Sequence, residues 1–418
     1  MNFGPVYIVG AGLSGLSAAV ALAAAGVRVE VFEATSFAGG RCRSYYDAAL
    51  GQVIDNGNHL ILSGNGAVHD YLGTIGTQKN FLGSKSAEYA FVDVGTGERW
   101  TLKPNEGVVP WWTLDPKRRV PGTRALDYVA IAKLIWRGKD GAAVAKSGCS
   151  TALWQKLVHP LLLAALNTEP EKTSSALVAT VLRETLAKGG KAYRPRIASP
   201  TLASVFVDPA IAFVKKRGGE FRFGQRLRGL SIEDSALAEL ELSDEKLRVP
   251  KGSSVILAVP SWAAQSLLPD IAVPDAFNGI VSGHFRIAPP IGTAPITGVI
   301  GGTSEWIFAF PDRISVTISN ADHLIERDRE ELATLCWRDV AAVYGLSAEL
   351  PAWQIVKERR ATFAATPEQQ GKRPPAETRC TNLFLAGDWT DTGLPATIEG
   401  AVRSGQRAAK LALARLAG

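Results

Sequence analysis

The sequence predicts an α/β fold in which parallel β-strands alternate with α-helices. Two observations, one at each end of the chain, support this prediction. Near the start, an apolar strand at residues 6–9 is followed by a glycine-rich turn, a helical stretch and a second strand at residues 27–32, in which apolar residues alternate with Arg28 and Glu30. Near the end, a largely apolar strand at residues 382–388 that ends in Gly-Asp precedes a last helical stretch. Apolar strands separated by helices are typical of a parallel sheet that is covered on both faces.

The length and composition indicate a soluble protein with more than one domain. At 418 residues the chain exceeds the usual size of one core, so we expect two domains. Hydrophobic residues make up 46% and charged residues 21%, as in ordinary globular proteins. We expect no secretory signal and no membrane-spanning segment. The four cysteines have neither a zinc-ligand spacing nor a disulfide pattern, so we predict no metal site and a cytoplasmic location.

The net charge of +6 at pH 7 leaves two classes of partner to consider, nucleic acid and an anionic membrane surface. Lysine and arginine form no run long enough for a phosphate-binding stripe, so we predict no nucleic-acid partner. An anionic membrane surface stays open, which would place the protein at the inner face of the cytoplasmic membrane.

The turn after the first strand has the spacing of a dinucleotide-binding loop. Gly10 permits the tight turn, Gly12 lets the backbone approach a pyrophosphate, and Gly15 lets the next helix pack closely on the strand. Free N–H groups at the start of that helix attract phosphates. Glu33 ends the second strand, where its carboxylate is placed to accept a ribose hydroxyl. Strand, glycines, helix, strand and acid in this order make the motif specific.

A second motif follows at Gly39-Gly40-Arg41, where the arginine is expected to pair with a phosphate. Glu33 followed by these residues resembles the second FAD motif of the amine oxidase and phytoene desaturase superfamily. The resemblance implies a Rossmann-type FAD-binding domain, assembled from three chain segments, with an interleaved α+β substrate domain. We place the FAD-binding domain at residues 1–75, 196–262 and 375–418, and the substrate domain at residues 76–195 and 263–374.

The C-terminal region resembles the last FAD motif of the same superfamily. An apolar strand ends in Gly387-Asp388, and a helix begins near Thr397. The resemblance implies that Asp388 binds the ribityl or pyrophosphate part of FAD. It also directs the helix N-terminus at the flavin pyrimidine edge, where a positive dipole end stabilises the anionic reduced flavin. No cysteine stands in this motif, so we expect FAD to be bound non-covalently.

The segment at residues 53–62 begins as an apolar strand, expected to be buried, and then turns polar. Its Asp-Asn-Gly at 55–57 resembles the stretch that passes the isoalloxazine in this superfamily, which places Asn58 and His59 near the redox face. Three roles are open for His59: a structural side chain with a partner, a neutral hydrogen-bond donor, and a general acid. Asp55 is expected to accept hydrogen bonds from backbone N–H groups in the turn.

Together the motifs and the resemblance predict one set of cofactor contacts. A helix–turn–strand unit at residues 206–230 corresponds to the superfamily unit that contacts adenine, and Leu227 is its matching residue. The predicted FAD-binding residues are Gly10, Gly12, Leu13, Ser14, Gly15, Glu33, Ala34, Gly39, Gly40, Arg41, Asn56, Gly57, Asn58, His59, Leu227, Gly387, Asp388, Pro395, Ala396 and Thr397.

Four short stretches, at residues 55–59, 166–170, 358–363 and 393–400, resemble a narrower family. This is the squalene-associated FAD-dependent desaturase family, the hydroxysqualene dehydroxylases of bacterial hopanoid pathways. The resemblance implies removal of an allylic hydroxyl from hydroxysqualene, with hydride transfer from reduced flavin to an allylic cation. Asn58 and His59 are the candidates for binding the hydroxyl. The aromatic candidates for stabilising the cation are Trp306, Phe308, Phe310 and Trp389.

Two apolar helices, predicted at residues 153–166 and 176–188, suit a deep apolar cavity or an ordinary core equally well. No second complete dinucleotide fingerprint is visible, so we expect an external reductant, either NAD(P)H or a separate reductase. Tryptophans beside basic residues, at 108–119 and 134–137, fit peripheral membrane contact and, equally well, a surface loop with its tryptophans packed inward. An association with the synthases that make the substrate stays open.

Three other functions fit the same motifs less well. An isoprenoid or carotenoid desaturase would run the flavin in the oxidising direction on the same fold. An amine oxidase is disfavoured because the cavity segments offer little to position a cationic amine. A non-catalytic binder of prenylated proteins is disfavoured because both terminal FAD motifs are complete.

Overall fold

A computed structural model of the chain describes residues 4–137 and 148–417. In these residues the strands, numbered in chain order, are β1 (Val6–Val9), β2 (Val29–Glu33), β3 (Ser44–Asp47), β4 (Gln52–Asp55), β5 (Leu60–Leu62), β6 (Phe81–Leu82), β7 (Tyr89–Asp93), β8 (Arg99–Leu102), β9 (Pro195–Ala198), β10 (Glu220–Phe223), β11 (Gly229–Glu233), β12 (Ala236–Glu241), β13 (Lys246–Arg248), β14 (Ser254–Leu257), β15 (Phe277–Phe285), β16 (Ile296–Ile300), β17 (Trp306–Ala309), β18 (Ile314–Ile318), β19 (Trp353–Phe363) and β20 (Leu383–Leu385).

The helices of the same residues are α1 (Leu13–Ala24), α2 (Gly66–Ile75), α3 (Val129–Arg137), α4 (Thr151–Leu153), α5 (His159–Leu166), α6 (Ser175–Glu184), α7 (Asp208–Lys215), α8 (Ser261–Leu267), α9 (Arg329–Tyr344), α10 (Pro367–Gly371) and α11 (Ile398–Ala417). A π-helical stretch, Trp154–Val158, joins α4 to α5.

The first sheet is parallel and has the order β10-β2-β1-β14-β20. Its strands come from three separated parts of the chain, which agrees with a Rossmann-type domain assembled from three segments. Helices α1 and α11 cross over this sheet at Gly405, where a Cβ atom would lie 2.1 Å from the backbone oxygen of Ser14. The close crossing joins the two ends of the chain. The boundaries of the two domains stay a prediction.

The second sheet has seven strands in the order β19-β15-β18-β17-β16-β7-β8, and its two faces differ. One face is apolar, with Val281, Phe285 and Val316 packed against α9. Successive strand residues point to opposite faces, so Ser282 and Thr317, which pair across β15 and β18, lie on the other face. That second face looks toward the core formed with α5 and α6.

The helical layer on this second face differs from the sequence prediction at two points. The helix predicted at 153–166 includes the π-helical stretch and ends at Asn167, which has a left-handed φ of 48°. The helix predicted at 176–188 ends at Glu184. Thr185 leaves the helical conformation, with φ −115° and ψ −93°, and a short 3-10 turn follows.

The expectation that the strand at residue 53 is buried is wrong for Val53, which is 44% exposed. Among the described strands, β4 pairs only with β3, in a two-stranded ribbon, and Val53 lies opposite Tyr46 on its outer face. Ile54 points the other way and is buried. One face of the ribbon packs on the protein and the other is open to solvent, so alternate residues of β4 are exposed.

Candidate active site

The loop between β1 and α1 has the shape that a pyrophosphate requires. Gly10 has φ +106°, and a Cβ there would lie 2.4 Å from the backbone oxygen of Ala258. At Gly15 a Cβ would lie 1.9 Å from the oxygen of Gly10, so helix and strand touch without a side chain between them. A Cβ on Gly12 would instead meet no atom of the described chain within 4 Å, and no described side chain caps α1 there. The open helix N-terminus, with Leu13 and Ser14 in its first turn, therefore fits the phosphates of FAD.

Glu33 is held at the end of β2 by its own surroundings. Its Oε2 accepts the N–H of Ala11 at 2.8 Å, and Oε1 accepts both the N–H and the hydroxyl of Thr35 at 2.9 Å. The Glu33 backbone oxygen accepts the N–H of Gln225 at 2.9 Å, which places the loop after β10 beside the predicted ribose site. Leu227 lies in this loop and is buried. Ala34, next to Glu33, is exposed.

Arg41 and Asp388, 347 residues apart, form an ion pair. The Arg41 Nη2 donates to Asp388 Oδ1 at 2.7 Å, and Nη1 donates to the backbone oxygen of Ala361 at 2.5 Å. Asp388 is almost fully buried, whereas the Arg41 side chain is 42% exposed. The pair thus brings two predicted FAD ligands together and leaves part of the guanidinium open to an anion.

Arg373 supports this pair and was missed by the sequence analysis. Its buried guanidinium donates to the backbone oxygen of Asp388 at 3.1 Å and to the hydroxyl of Thr392 at 3.0 Å. Burial lowers the pKa of Arg373 to about 10, although the charges of Asp391 and Asp388 oppose the shift. The only signal in the sequence was a basic residue shortly before the C-terminal motif, which is too common to be specific.

The start of α11 is fixed by hydrogen bonds. Thr397 Oγ1 accepts the N–H of Gly400 at 3.1 Å and so caps the helix that follows Pro395 and Ala396. Ser404 Oγ accepts the N–H of Gly387 at 2.8 Å, tying the helix to the end of β20. The helix N-terminus and the Gly387-Asp388 turn are therefore held in one arrangement.

Glu399, in the first turn of α11, has a structural role. Its carboxylate accepts the N–H groups of Ala67 and Val68 at 3.1 and 3.0 Å, and it pairs with Arg403. The acid therefore caps the N-terminus of α2.

Asp55 is a buried acceptor, as expected, but its partners lie outside the turn. Its Oδ1 accepts the hydroxyl of Ser44 at 2.6 Å and the backbone N–H of Leu202 at 2.9 Å. Arg313 Nη2 lies 3.7 Å from Oδ2. Burial raises the pKa of Asp55, and these three partners oppose that shift.

Two asparagines tie the loop at 56–59 to the second sheet. Asn56 Nδ2 donates to Glu358 Oε2 at 3.1 Å. Asn58 Nδ2 donates to the backbone oxygen of Val316 at 3.1 Å and to the hydroxyl of Thr317 at 3.2 Å. Asn58 Oδ1 is buried and has no hydrogen-bond partner within the described part of the chain. A buried acceptor without a partner is costly unless a ligand supplies a donor.

His59, the last residue of this loop, lies next to Arg41. Burial lowers the pKa of His59 to about 4, the charge of Arg41 adds to the effect, and a hydrogen bond with the Arg41 backbone opposes it. At neutral pH the imidazole is therefore neutral. This favours the structural role and the neutral-donor role over the general acid.

The stretch at residues 166–170 connects the helical layer to the second sheet. Asn167 Nδ2 donates to the hydroxyl of Thr362 at 3.0 Å and to the backbone oxygen of Asn278 at 3.2 Å. Its Oδ1 accepts the N–H of Asn320 at 2.6 Å. These long-range bonds give this family motif a structural role.

The four aromatic candidates are all buried, but they are not equivalent. Arg313 lies 3.8 Å above the ring of Phe310, so that ring already has a cation. The Trp389 indole N–H donates to the backbone oxygen of Val259 at 2.9 Å. Trp306 packs edge-on against Phe91, with ring centroids 5.6 Å apart. Trp306 and its strand neighbour Phe308 are thus the candidates on the face toward α5 and α6.

The surface around residues 108–136 is rich in exposed apolar side chains. Trp111 is 50% exposed and Trp136 is 82% exposed, whereas Trp112 is buried against Tyr128. The prediction that Trp112 is interfacial is therefore wrong. The side chain of Arg137 lies outside the described residues. Within residues 4–137 and 148–417, no helix is both long enough and apolar enough to cross a membrane.

Comparison with known proteins identifies the family. The family model for flavin containing amine oxidoreductases matches residues 13–413. The chain is 51% identical over 408 residues to the hydroxysqualene dehydroxylase of Sinorhizobium fredii, covering 98% of both chains. It is 49% identical over 407 residues to the hydroxysqualene dehydroxylase of Zymomonas mobilis, covering 97% of this chain and 98% of the relative.

A solved structure with the same fold is the cyclohexylamine oxidase of Brevibacterium oxydans. The TM-score is 0.74 at 16% identity, and the match covers 99% of both chains. Identity this low shows the fold alone, an amine oxidase-like combination of a Rossmann-type domain and a second domain. The chain therefore belongs to the flavin-containing amine oxidoreductase family and, within it, to the hydroxysqualene dehydroxylases, so it is an FAD-dependent oxidoreductase.

Proposed function

We propose that the protein removes the hydroxyl group of hydroxysqualene reductively and so produces squalene for bacterial hopanoid synthesis. The observation that carries this proposal is the 51% identity, over nearly the whole chain, to a hydroxysqualene dehydroxylase. A desaturase of isoprenoids or carotenoids is the second candidate, since the same fold serves both directions of flavin chemistry.

Residues at both ends of the chain would hold the cofactor. The open N-terminus of α1 would receive the pyrophosphate, Glu33 the adenosine ribose, and the Arg41–Asp388 pair the phosphate and ribityl portions. FAD, when bound and reduced, supplies the hydride for the reaction. The N-terminus of α11 would stabilise negative charge on the reduced cofactor, because its dipole places positive charge there.

Asn58 and His59 are our candidates for holding the substrate hydroxyl. The unpartnered Oδ1 of Asn58 is an acceptor for an O–H donor, and its Nδ2 is fixed by β18. The neutral imidazole of His59 supplies a donor or an acceptor, depending on its tautomer. Both residues would thus orient the C–O bond that breaks.

The remaining surroundings suit an allylic cation. The buried leucines of α5 and α6 would keep water away from the cation and so prevent its recapture as alcohol. The faces of Trp306 and Phe308 would stabilise the cation by up to about 2 kcal/mol each when desolvated.

The substrate would reach the site from a lipid surface. A patch of exposed apolar residues (Val108, Val109, Trp111, Leu114, Leu126, Val129 and Trp136) lies on and between two 3-10 turns and α3. Interspersed among them are the exposed cations of Lys117, Arg124 and Lys133. Apolar side chains with basic neighbours fit an anionic bilayer.

Flotation with liposomes of phosphatidylglycerol tests this patch. The variant Trp111→Ser/Leu126→Ser/Trp136→Ser is expected to lose flotation, while Ile291→Ser, another exposed apolar residue outside the patch, keeps it. Equal flotation of both variants would remove the patch from the proposal. The external reductant is either NAD(P)H or a reductase protein, and stopped-flow reduction of the flavin by NADPH distinguishes the two.

Anaerobic single turnover tests the reaction itself. The bound flavin is photoreduced, hydroxysqualene is added, and the flavin spectrum and products are followed together. Reoxidation with one equivalent of squalene is expected. A reduced flavin that stays reduced, together with bleaching of oxidised flavin by a polyene precursor, would establish the desaturase instead.

A further inference from the structure

Glu305 is a titratable residue at the entrance to β17 that has no place in the roles given above. Its backbone N–H donates to the oxygen of Thr317 at 3.1 Å, and Thr317 is also the residue paired with the next residue, Trp306. Glu305 and Trp306 thus both lie opposite Thr317, which is the arrangement of a β-bulge. Bulges re-aim side chains, and here the bulge lets Glu305 share the face that carries Trp306.

The Glu305 side chain is bonded to the end of β18. Its Oε2 accepts the N–H of Ser319 at 3.0 Å, two residues after Thr317. The Thr317 hydroxyl accepts the Nδ2 of Asn58. Glu305 and the loop predicted to lie at the redox face are therefore bonded to the same residue of β18, one through its main chain and the other through its side chain.

The charged groups around Glu305 favour its neutral form. Glu169 is the acid that faces it from the helical layer, and it is bonded to Asn320 and lies 3.4 Å from His159. Glu171 lies near His159 and Glu169 in the same cluster. On the α9 side, Asp339 accepts the N–H groups of residues 303 and 304.

Burial raises the pKa of Glu305 to about 7, and the negative charge of Glu169 adds to the shift against the hydrogen bonds of Ser319. A carboxylic acid with this pKa is partly protonated at neutral pH and is able to donate its proton.

Three acids and one histidine near the predicted redox face are less suited to donate a proton. Asp388 is paired with Arg41, Glu358 accepts from Asn56, and Asp55 is held by Ser44 and the Leu202 N–H. His59 is neutral at pH 7. Loss of a hydroxyl group needs a proton, because hydroxide is a poor leaving group.

We propose that Glu305 is the catalytic acid that protonates the departing hydroxyl group. This inference rests on the proposed dehydroxylase function. The proton passes from the carboxylic acid to the hydroxyl oxygen, the C–O bond breaks with its electron pair on oxygen, and water and an allylic cation result. The hydride that reduced FAD would supply adds to the cationic carbon. The Glu305 carboxylate then regains a proton from solvent.

The test is anaerobic single turnover of photoreduced protein between about pH 5.5 and 8.5. For the wild type, flavin reoxidation by hydroxysqualene is expected to fall as pH rises above about 7, since the acid must be protonated. Glu305→Gln is expected to slow this step by about 10²- to 10⁴-fold, the usual contribution of a general acid. Glu169→Gln removes a neighbouring negative charge, so its falling limb is expected at lower pH.

A substrate that needs no acid separates catalysis from structure. The formate ester of hydroxysqualene has the same carbon skeleton and a leaving group that departs as an anion. Glu305→Gln is expected to react with this ester within about threefold of the wild type. Equal slowing with alcohol and ester would mean a structural role and overturn the inference, as would an unchanged rate with the alcohol. A wild type that hydroxysqualene does not reoxidise would instead overturn the dehydroxylase function.

Discussion

Replacing Arg41 by methionine tests the cofactor site most directly. The guanidinium spans Asp388 and the backbone oxygen of Ala361, and its open part is where we place a phosphate of FAD. Methionine keeps most of the side-chain length and removes the charge. The variant therefore leaves Asp388 buried without its cation, and it also removes one phosphate partner.

The two losses have different expected sizes. Breaking a fully buried ion pair by removing one partner costs about 3–5 kcal/mol. The Arg41 side chain is 42% exposed, so screening by solvent reduces this to about 1–2 kcal/mol of unfolding free energy. A hydrogen bond between charged groups contributes about 1.5–3 kcal/mol, so FAD should bind about 10- to 150-fold more weakly.

Titration of the apoprotein with FAD, followed by flavin fluorescence, measures the affinity, and chemical unfolding of the apoprotein measures stability. Adding Asp388→Asn to Arg41→Met removes the unpaired carboxylate, so the unfolding free energy should partly recover while FAD binding stays weak. Arg43→Met is the control, because Arg43 bonds the Gly40 oxygen on the exposed side of the same loop. FAD affinity within threefold of the wild type in Arg41→Met would refute this role.

Three further outcomes are expected. Gly15→Ala should abolish FAD retention, because its Cβ would lie 1.9 Å from the Gly10 oxygen. Gly66→Ala is the control and should retain FAD, because a Cβ there has no neighbouring atom of the described chain within 4 Å. The flavin content of the purified variants measures both, and equal content would contradict the prediction. Burial lowers the pKa of His284 in the folded protein to about 3, whereas in the unfolded chain it is near 6.5. As pH falls below 6.5 the unfolded chain therefore takes up a proton that the folded protein does not, and the free energy of unfolding decreases. The free energy of unfolding in urea should fall less from pH 7 to pH 5 in His284→Gln than in the wild type, by up to about 1.4 kcal/mol per pH unit. An equal fall in both proteins would contradict this. Asn167→Gly keeps the left-handed backbone but removes three hydrogen bonds, so it should lower the free energy of unfolding by about 1.5–4 kcal/mol. Asn167→Ala should lower it by about 1 kcal/mol more, because alanine is strained at this backbone conformation. Equal melting temperatures of both variants and the wild type would contradict this.

What the sequence predicts well is local. The tight turn at Gly10, the close packing at Gly15 and the position of Glu33 at the end of β2 lie close together in the chain and follow from local patterns. The parallel sheet and the ends of α1 and α11 follow from the same short-range patterns. Arg41 and Asp388 were each predicted from a motif, but their direct pairing across 347 residues depends on the folded chain.

The errors arise where tertiary contacts decide. Val53 is exposed because its ribbon has only two strands, and Trp112 is buried because Tyr128 packs on it. Arg373 belongs to no motif, and its role exists only where the chain folds back onto Asp388. The role of Glu305 could not be predicted for the same reason, since a glutamate before an apolar strand is common and its neighbours are known only from the fold.

The second sheet explains how one scaffold combines an apolar core with polar groups. Residues of β18 alternate between an apolar face packed on α9 and a face where Thr317 meets Asn58. On the inner face Asn58 Nδ2 donates to the Thr317 hydroxyl, whereas Asn58 Oδ1 has no partner within the described residues and is left for a ligand. The leucines of α5 and α6 would exclude water around these groups. A cation-forming reaction needs this combination: a proton must be delivered at one point, and water must be absent elsewhere. Glu305 on its strand bulge meets both needs, because the rigid sheet fixes its position while burial raises its pKa to about 7, so that part of it is protonated at neutral pH.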